Sequence, residues 1–228
     1  CYVGYTATPF ANIFINPDAY DPDAREELFP KDFIYSLDAP TTYFGPDKVF
    51  LDEATSRVIV ERIDDCEDYL PSSHKNGFPV TELPPSLYRA LDQFIVARAI
   101  RNLRKQETKH CSMLINVSRF VSVQKEVKGF IGLRVDRIRE AVKANYMMPE
   151  DASAKNVYMA GLRAAFERNF SECGFTWDEV KKALWSTFEH LRTYVVNSKS
   201  DEVLDYGRYQ RDGIGVTAIT IGGLSLSR

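Results

Sequence analysis

Small hydroxyl residues, glycines and single arginines stand in this sequence where strand-like runs come to an end. That is the material from which contacts to phosphate are made. At the start, Cys1-Tyr-Val-Gly-Tyr-Thr-Ala-Thr-Pro9 is a β-branched and aromatic run halted by a proline. Proline cannot donate to a sheet ladder, and it pushes the residue before it toward extended geometry. Residues 2–7 are therefore predicted to form a buried strand, with Thr6 and Thr8 where it meets a loop. The far end repeats the plan: an apolar run over 216–221, then Gly222-Gly223, then Ser225, Ser227 and Arg228. In open α/β sheets, ligands bind beyond the carboxyl ends of strands. Glycines there let backbone N–H groups approach a phosphate closely. A third run, Ser112-Met-Leu-Ile-Asn-Val-Ser118, is followed by Arg119, which reads either as a phosphate contact or as a surface arginine at a strand end.

Other chemistries have weaker support. Asp64-Asp-Cys-Glu-Asp68 has the composition of a metal site but no ligand spacing, and reads as a solvated acidic loop. Pro46-Asp47 and Glu126-Val127-Lys128 match the letters of a Mg²⁺-dependent nuclease, but the second lies in a stretch of helical period. His74, His110 and His190 are scattered, and no GxxxxGK[ST] phosphate loop is present. No catalytic residue and no metal ligand is assigned within the chain. The four cysteines lack any CxxC spacing and read as reduced thiols of a cytoplasmic protein. No apolar run approaches the about 18 residues that suggest a membrane span, so no membrane partner is expected. With a net charge of −3, any basic footprint for nucleic acid must be local, as at Arg98, Arg101, Arg104 and Lys105.

The elements that must position these residues follow from periodicity. Residues 33–37 and 57–63 are rich in β-formers and read as short strands, the second at a sheet edge. Leu87, Leu91, Phe94, Ile95, Ala99 and Leu103 share one helical face, with Ser86 as the expected N-cap. Residues 112–118 form a run of strand length with apolar residues on both faces, and read as a buried parallel strand. A long helix is predicted over 121–145, its core stripe being Val127, Ile131, Val135, Ile138 and Val142. Two more follow over 151–173 and 177–191, split by Cys173-Gly174 and opened by a Thr176–Glu179 capping box. Tyr194–Asn197 is a strand, 198–213 a loop with room for a helical turn, and 216–221 the last strand. Strands alternating with helices give an α/β fold, a parallel sheet with flanking helices.

The end motifs resemble those of a known machine. Gly4-Tyr-Thr-Ala-Thr-Pro9 resembles motif III of superfamily-two helicases and translocases, in the version with a following proline that type I restriction translocase subunits have. Phe33–Leu37 and Tyr43-Phe-Gly45 are similar to the stretch that follows it there. Met113–Ser118 resembles motif IV, and Gly222–Arg228 resembles motif V. Together they are most similar to the Z-one domain family, endonuclease-associated proteins with a helicase-like ATPase linked to restriction or phage defence.

The resemblance implies residues 1–13 as the last strand of a first RecA-like lobe, 14–110 as a connector or family-specific insertion, and 111–228 as part of a second lobe. It implies that Thr6 and Thr8 couple hydrolysis to strand movement, and that Gly222, Gly223, Ser225, Ser227 and Arg228 touch nucleic acid or the nucleotide edge, with Arg119, just after motif IV, standing beside them as the open candidate already named. Gly223-Leu224 stands where many helicases have Thr-Asp, which removes a side-chain phosphate contact. ATP and Mg²⁺ are the implied cofactors and DNA the implied partner of an intact protein of which this chain reads as a fragment, without hydrolysis of its own. The rival expectation is a degenerate helicase lobe used as a scaffold.

Overall fold

A computed structural model describes residues 35–196 and 204–222, and the backbone of Tyr20–Asp21 and Arg25–Glu26. Thr6, Thr8, Gly223, Ser225, Ser227, Arg228 and the predicted strand over 2–7 lie outside the described residues. The chain divides into two units, Cys1–Glu61 and Arg62–Arg228.

In the first unit, Tyr20–Asp21 and Arg25–Glu26 form a short antiparallel ladder. A π-helical turn over Asp47–Leu51 leads into a two-turn helix, Glu53–Ile59. The strand expected over 57–63 is thus corrected: Arg57, Val58 and Ile59 are helical. Local groups win there. The Asp52 carboxylate accepts the Ala54 N–H (3.1 Å) and the Thr55 hydroxyl (2.6 Å), and Glu53 pairs with Arg57 one turn on at 3.0 Å. No residue of the helix is buried, so its β-branched side chains have no sheet surface to fill. Of the strand expected over 33–37, Tyr35–Leu37 have irregular backbone.

The second unit opens with a loop and then helix α1, Pro85–Leu103. Pro85 occupies the first helical position, where its missing N–H costs nothing. Ser86 is not the N-cap as expected. It is buried, and both its N–H (2.9 Å) and its hydroxyl (2.5 Å) donate to Asp65, which caps the helix from the acidic run. Strand β1 (Cys111–Asn116) runs into helix α2 (Val121–Asn145), whose predicted stripe Val127, Ile131, Val135, Ile138 and Val142 is buried along its length. A turn at Glu150–Ser153 precedes α3 (Val157–Asn169) and α4 (Trp177–Thr187), which begins with the expected reciprocal Thr176–Glu179 cap. Gly174 separates them at φ +88°, where a side chain would be strained. Strand β2 (Leu191–Val196), a short α5 (Tyr206–Arg211) and β3 (Thr217–Gly222) complete the unit.

The three strands are parallel in the order β1-β3-β2, with Cys111, Thr217 and Leu191 in register at one end and Asn116, Gly222 and Val196 at the other. The central strand β3 is buried throughout, whereas β1 is not buried on both faces as expected. Ile115 is 3% exposed but Leu114, on the alternate face, is 55% exposed. The covered face carries Ile115, Ile219, Ile221 and Leu191 into one core with Leu91, Ile95 and Ala99 of α1, the α2 stripe, Met159 and Leu162 of α3, and Val180 and Leu184 of α4. Helix α1, drawn into the connector on sequence grounds, is part of this core.

Candidate functional site

The carboxyl ends of the strands form the first candidate. Asn116 and Gly222 are direct partners in the β1–β3 ladder, so both strands end at the same edge. From Asn116, four residues turn into α2, whose first N–H groups have no partner within the helix. Arg119 is exposed in this turn, and its guanidinium lies 4.9 Å from the centre of the Phe120 ring. The ring holds the cation at the strand end without neutralising it.

Beneath it, Ser118 is 6% exposed and tied on three sides. Its oxygen accepts the Phe120 N–H at 3.0 Å, its carbonyl accepts the buried Gln124 amide at 2.8 Å, and its hydroxyl lies 2.7 Å from His74 Nε2. His74 Nδ1 lies 2.7 Å from the Pro71 carbonyl. A carbonyl only accepts, so Nδ1 carries the hydrogen and Nε2 accepts from Ser118. This is the donor chain of an activated hydroxyl. Burial and the Phe120 N–H make it instead a fastener for the loop over 70–80. The same loop is held by Ser122, which donates to Asn76 (2.9 Å) and accepts the Gly77 N–H (3.1 Å), and by Glu126, which accepts the Val80 N–H (2.6 Å). Between loop and strand end lies a cleft of about 460 Å³, lined by Leu70, Ser72, His74 and residues 116–120. The His74–Ser118 bond joins residues 44 positions apart, so no local pattern pointed to it.

The basic cluster at the end of α1 is dispersed. Arg98 is 3% exposed and donates to the carbonyls of Lys109 (2.7 Å), Glu107 (2.8 Å) and Gly215 (2.9 Å), tying together the loops that enter β1 and β3. Burial pushes its guanidinium below the usual value. Arg101 donates to Gln106 at 3.1 Å and Arg104 to the Cys173 carbonyl at 3.1 Å. A Cβ on Gly215 would collide with the Glu107 carbonyl, so only glycine lets the two loops approach this closely.

The other titratable clusters hold helices together. Burial lifts the Asp92 carboxyl to about 6, against the pull of the Arg134 guanidinium at 3.0 Å, which itself lies between the Tyr88 and Tyr158 rings at 5.1 and 4.7 Å. Glu150 accepts from Arg163 (2.8 Å), Trp177 (2.9 Å) and the buried Lys181 (3.3 Å). Burial works to raise Glu150, but these donors outweigh it and hold the carboxyl below its usual value. In the acidic run, Asp65 serves Ser86 and Glu67 accepts the Ser72 N–H at 3.0 Å. Among the described residues no three His, Cys, Asp or Glu side chains come together as a metal site would need. Glu126-Val127-Lys128 lies within α2, where successive side chains cannot converge on one ion. No described helix is long and apolar enough to cross a membrane.

A family model described as Z1 domain matches residues 86–228, from the first turn of α1 through β3 and beyond. No curated protein and no solved structure matches the chain.

Proposed function

The chain belongs to the Z1 domain family, and from that premise we propose that it serves an ATP-dependent, helicase-like DNA translocase or endonuclease-associated ATPase of restriction or phage defence. Its part is to hold the nucleic-acid backbone at the carboxyl edge of its sheet. One observation carries this reading. The strands bearing the motif IV-like and motif V-like sequences are hydrogen-bonded neighbours with Asn116 opposite Gly222. Arg119 therefore follows β1 at the same end of the sheet as Gly222, the residue at which the motif V-like sequence begins. Parallel sheets bind ligands at that edge. An exposed arginine beside free N–H groups at the start of a 25-residue helix suits a phosphate. Thr6 and Thr8 have the role of coupling nucleotide hydrolysis to strand movement.

The described residues do not fit ATP and Mg²⁺ by themselves. The sequence has no GxxxxGK[ST] loop, and no acidic cluster forms among the described residues. In this proposal the nucleotide is held by residues other than these. A second reading, a helicase-like lobe retained as a scaffold, is favoured by the net charge of −3.

Anisotropy of a fluorescent DNA duplex, titrated with the 228-residue chain at rising salt, separates the two. A backbone-binding lobe loses affinity steeply as counterions return. Arg119→Ala should weaken binding on every sequence alike and flatten the log–log salt slope by about 1. Binding that is weak at every salt concentration favours the scaffold, and an unchanged slope removes Arg119 from the interface.

A further inference from the structure

Both ring nitrogens of His74 are engaged, and in opposite senses. Nδ1–H donates to the Pro71 carbonyl at 2.7 Å, and Nε2 accepts the Ser118 hydroxyl at 2.7 Å. Only the neutral imidazole has a nitrogen that accepts. Ser118 has no easy way to reverse its part. Its oxygen already accepts the Phe120 N–H at 3.0 Å, and at 6% exposure its hydroxyl hydrogen has little water to turn to. A proton on Nε2 therefore sets donor against donor. It leaves a buried hydroxyl without its acceptor, which costs more than an exposed bond would. Phe78 and Phe120 flank the ring at 6.0 and 5.6 Å between centres, so it finds a new partner only by leaving this position.

The two halves of the loop are held differently. Residues 76–80 are tied to α2 by Ser122, which bonds Asn76 and Gly77, and by Glu126, which accepts the Val80 N–H. None of those bonds involves an imidazole. Residues 71–75 reach the strand end through His74, and the Glu67–Ser72 bond lies within the loop's own side. Of the charged groups around His74, Arg119 lines the cleft from the turn between β1 and α2, Glu67 and Lys75 belong to the loop's side, and Glu126 meets the loop at Val80.

We propose that His74 is a proton-operated latch on the cleft of about 460 Å³ at the carboxyl edge. Neutral, it fastens residues 71–75 to the turn that carries Arg119. Protonated, it lets go, and the segment swings out on residues 76–80, which stay bound to α2. The cleft then widens beside Arg119. The device is separate from the DNA reading and works whether or not nucleic acid binds there.

The test is NMR of the ¹⁵N-labelled whole chain from about pH 8 to about pH 5, the range in which imidazole ordinarily changes charge. The amides of residues 72–75 and of Phe120 should shift along the same curve as the His74 ring nitrogens. Nuclear Overhauser contacts between the His74 and Phe120 rings should be present at the upper limit and lost at the lower, while those between residues 76–80 and α2 persist. His74→Gln offers an acceptor and a donor but does not titrate. It should hold the 72–75 and Phe120 amides constant, while signals near Asp92 and near His110 and His190, at the amino edge of the sheet, still move with pH. Should that variant not fold, the ring contacts in the unaltered chain decide alone. A His74 ring that stays neutral to the lower limit would overturn the proposal. So would a ring that titrates with its Phe120 contacts intact, or 72–75 shifts that survive in His74→Gln.

Discussion

Arg98 stands in a run of basic residues near the end of a helix, where a cation usually means a solvated surface. It is instead the buried tie between the two loops that start β1 and β3, through three carbonyls. Charge-assisted hydrogen bonds are worth about 1.5–3 kcal/mol each, and carbonyls left buried without donors cost more than the bond itself contributes. Arg98→Met should therefore lower unfolding stability by about 3 kcal/mol or more, read from the urea midpoint, whereas Arg104→Met on the exposed end of the same helix should cost under about 1 kcal/mol. Asp92 makes a prediction of opposite kind. Its folded carboxyl binds a proton more tightly than the unfolded one, about 6 against 3.8, because burial outweighs Arg134. It therefore adds stability that is fully present below pH about 4 and is lost as pH rises through about 6, by about 3 kcal/mol in all. Stability measured for the native chain minus that of Asp92→Asn should fall across that window, and a flat difference would refute the shift. Neither role was legible in the sequence, because each depends on groups far along the chain. The Thr176–Glu179 cap was legible because all its partners lie within four residues.

At the scale of elements, periodicity was the reliable signal and composition the unreliable one. The 25-residue helix α2 was readable because its apolar spacing closes on itself turn after turn. Residues 57–59, the last turn of the helix Glu53–Ile59, were misread because β-branched residues count toward a strand only if a sheet is there to receive them. The local cap at Asp52 and the Glu53–Arg57 pair had no such competitor. Strand β1 shows a finer limit. A continuous apolar run cannot say which strand is central, and here β3 is central while β1 keeps one face open. The consequence is measurable in a pair of substitutions. Ile219→Ala, at a fully buried position, should cost about 2–5 kcal/mol. Leu114→Ala, at a position 55% exposed, should cost about 1 kcal/mol or less.

For the molecule as a whole, the sheet has two edges with different work. At the amino edge, Arg98 and Gly215 bind loops to one another beside a cleft. At the carboxyl edge, a loop fastened by His74 and Ser122 frames a strand end that presents Arg119 outward. The order of motifs along the chain anticipated a parallel α/β unit, because strands separated by helices have few other ways to pack. It did not anticipate how the loop over 70–80 is held, because its ties to Ser118, Ser122 and Glu126 span 44 to 46 residues. The central claim is that the carboxyl edge, rather than the amino edge, is the nucleic-acid surface. Amide hydrogen exchange with and without a DNA duplex at low salt tests it directly. The account predicts slowed exchange in residues 116–122 and at Gly222, with none in 107–110 or 213–215. Protection confined to the amino edge, or absent from both while the DNA is bound, would contradict it.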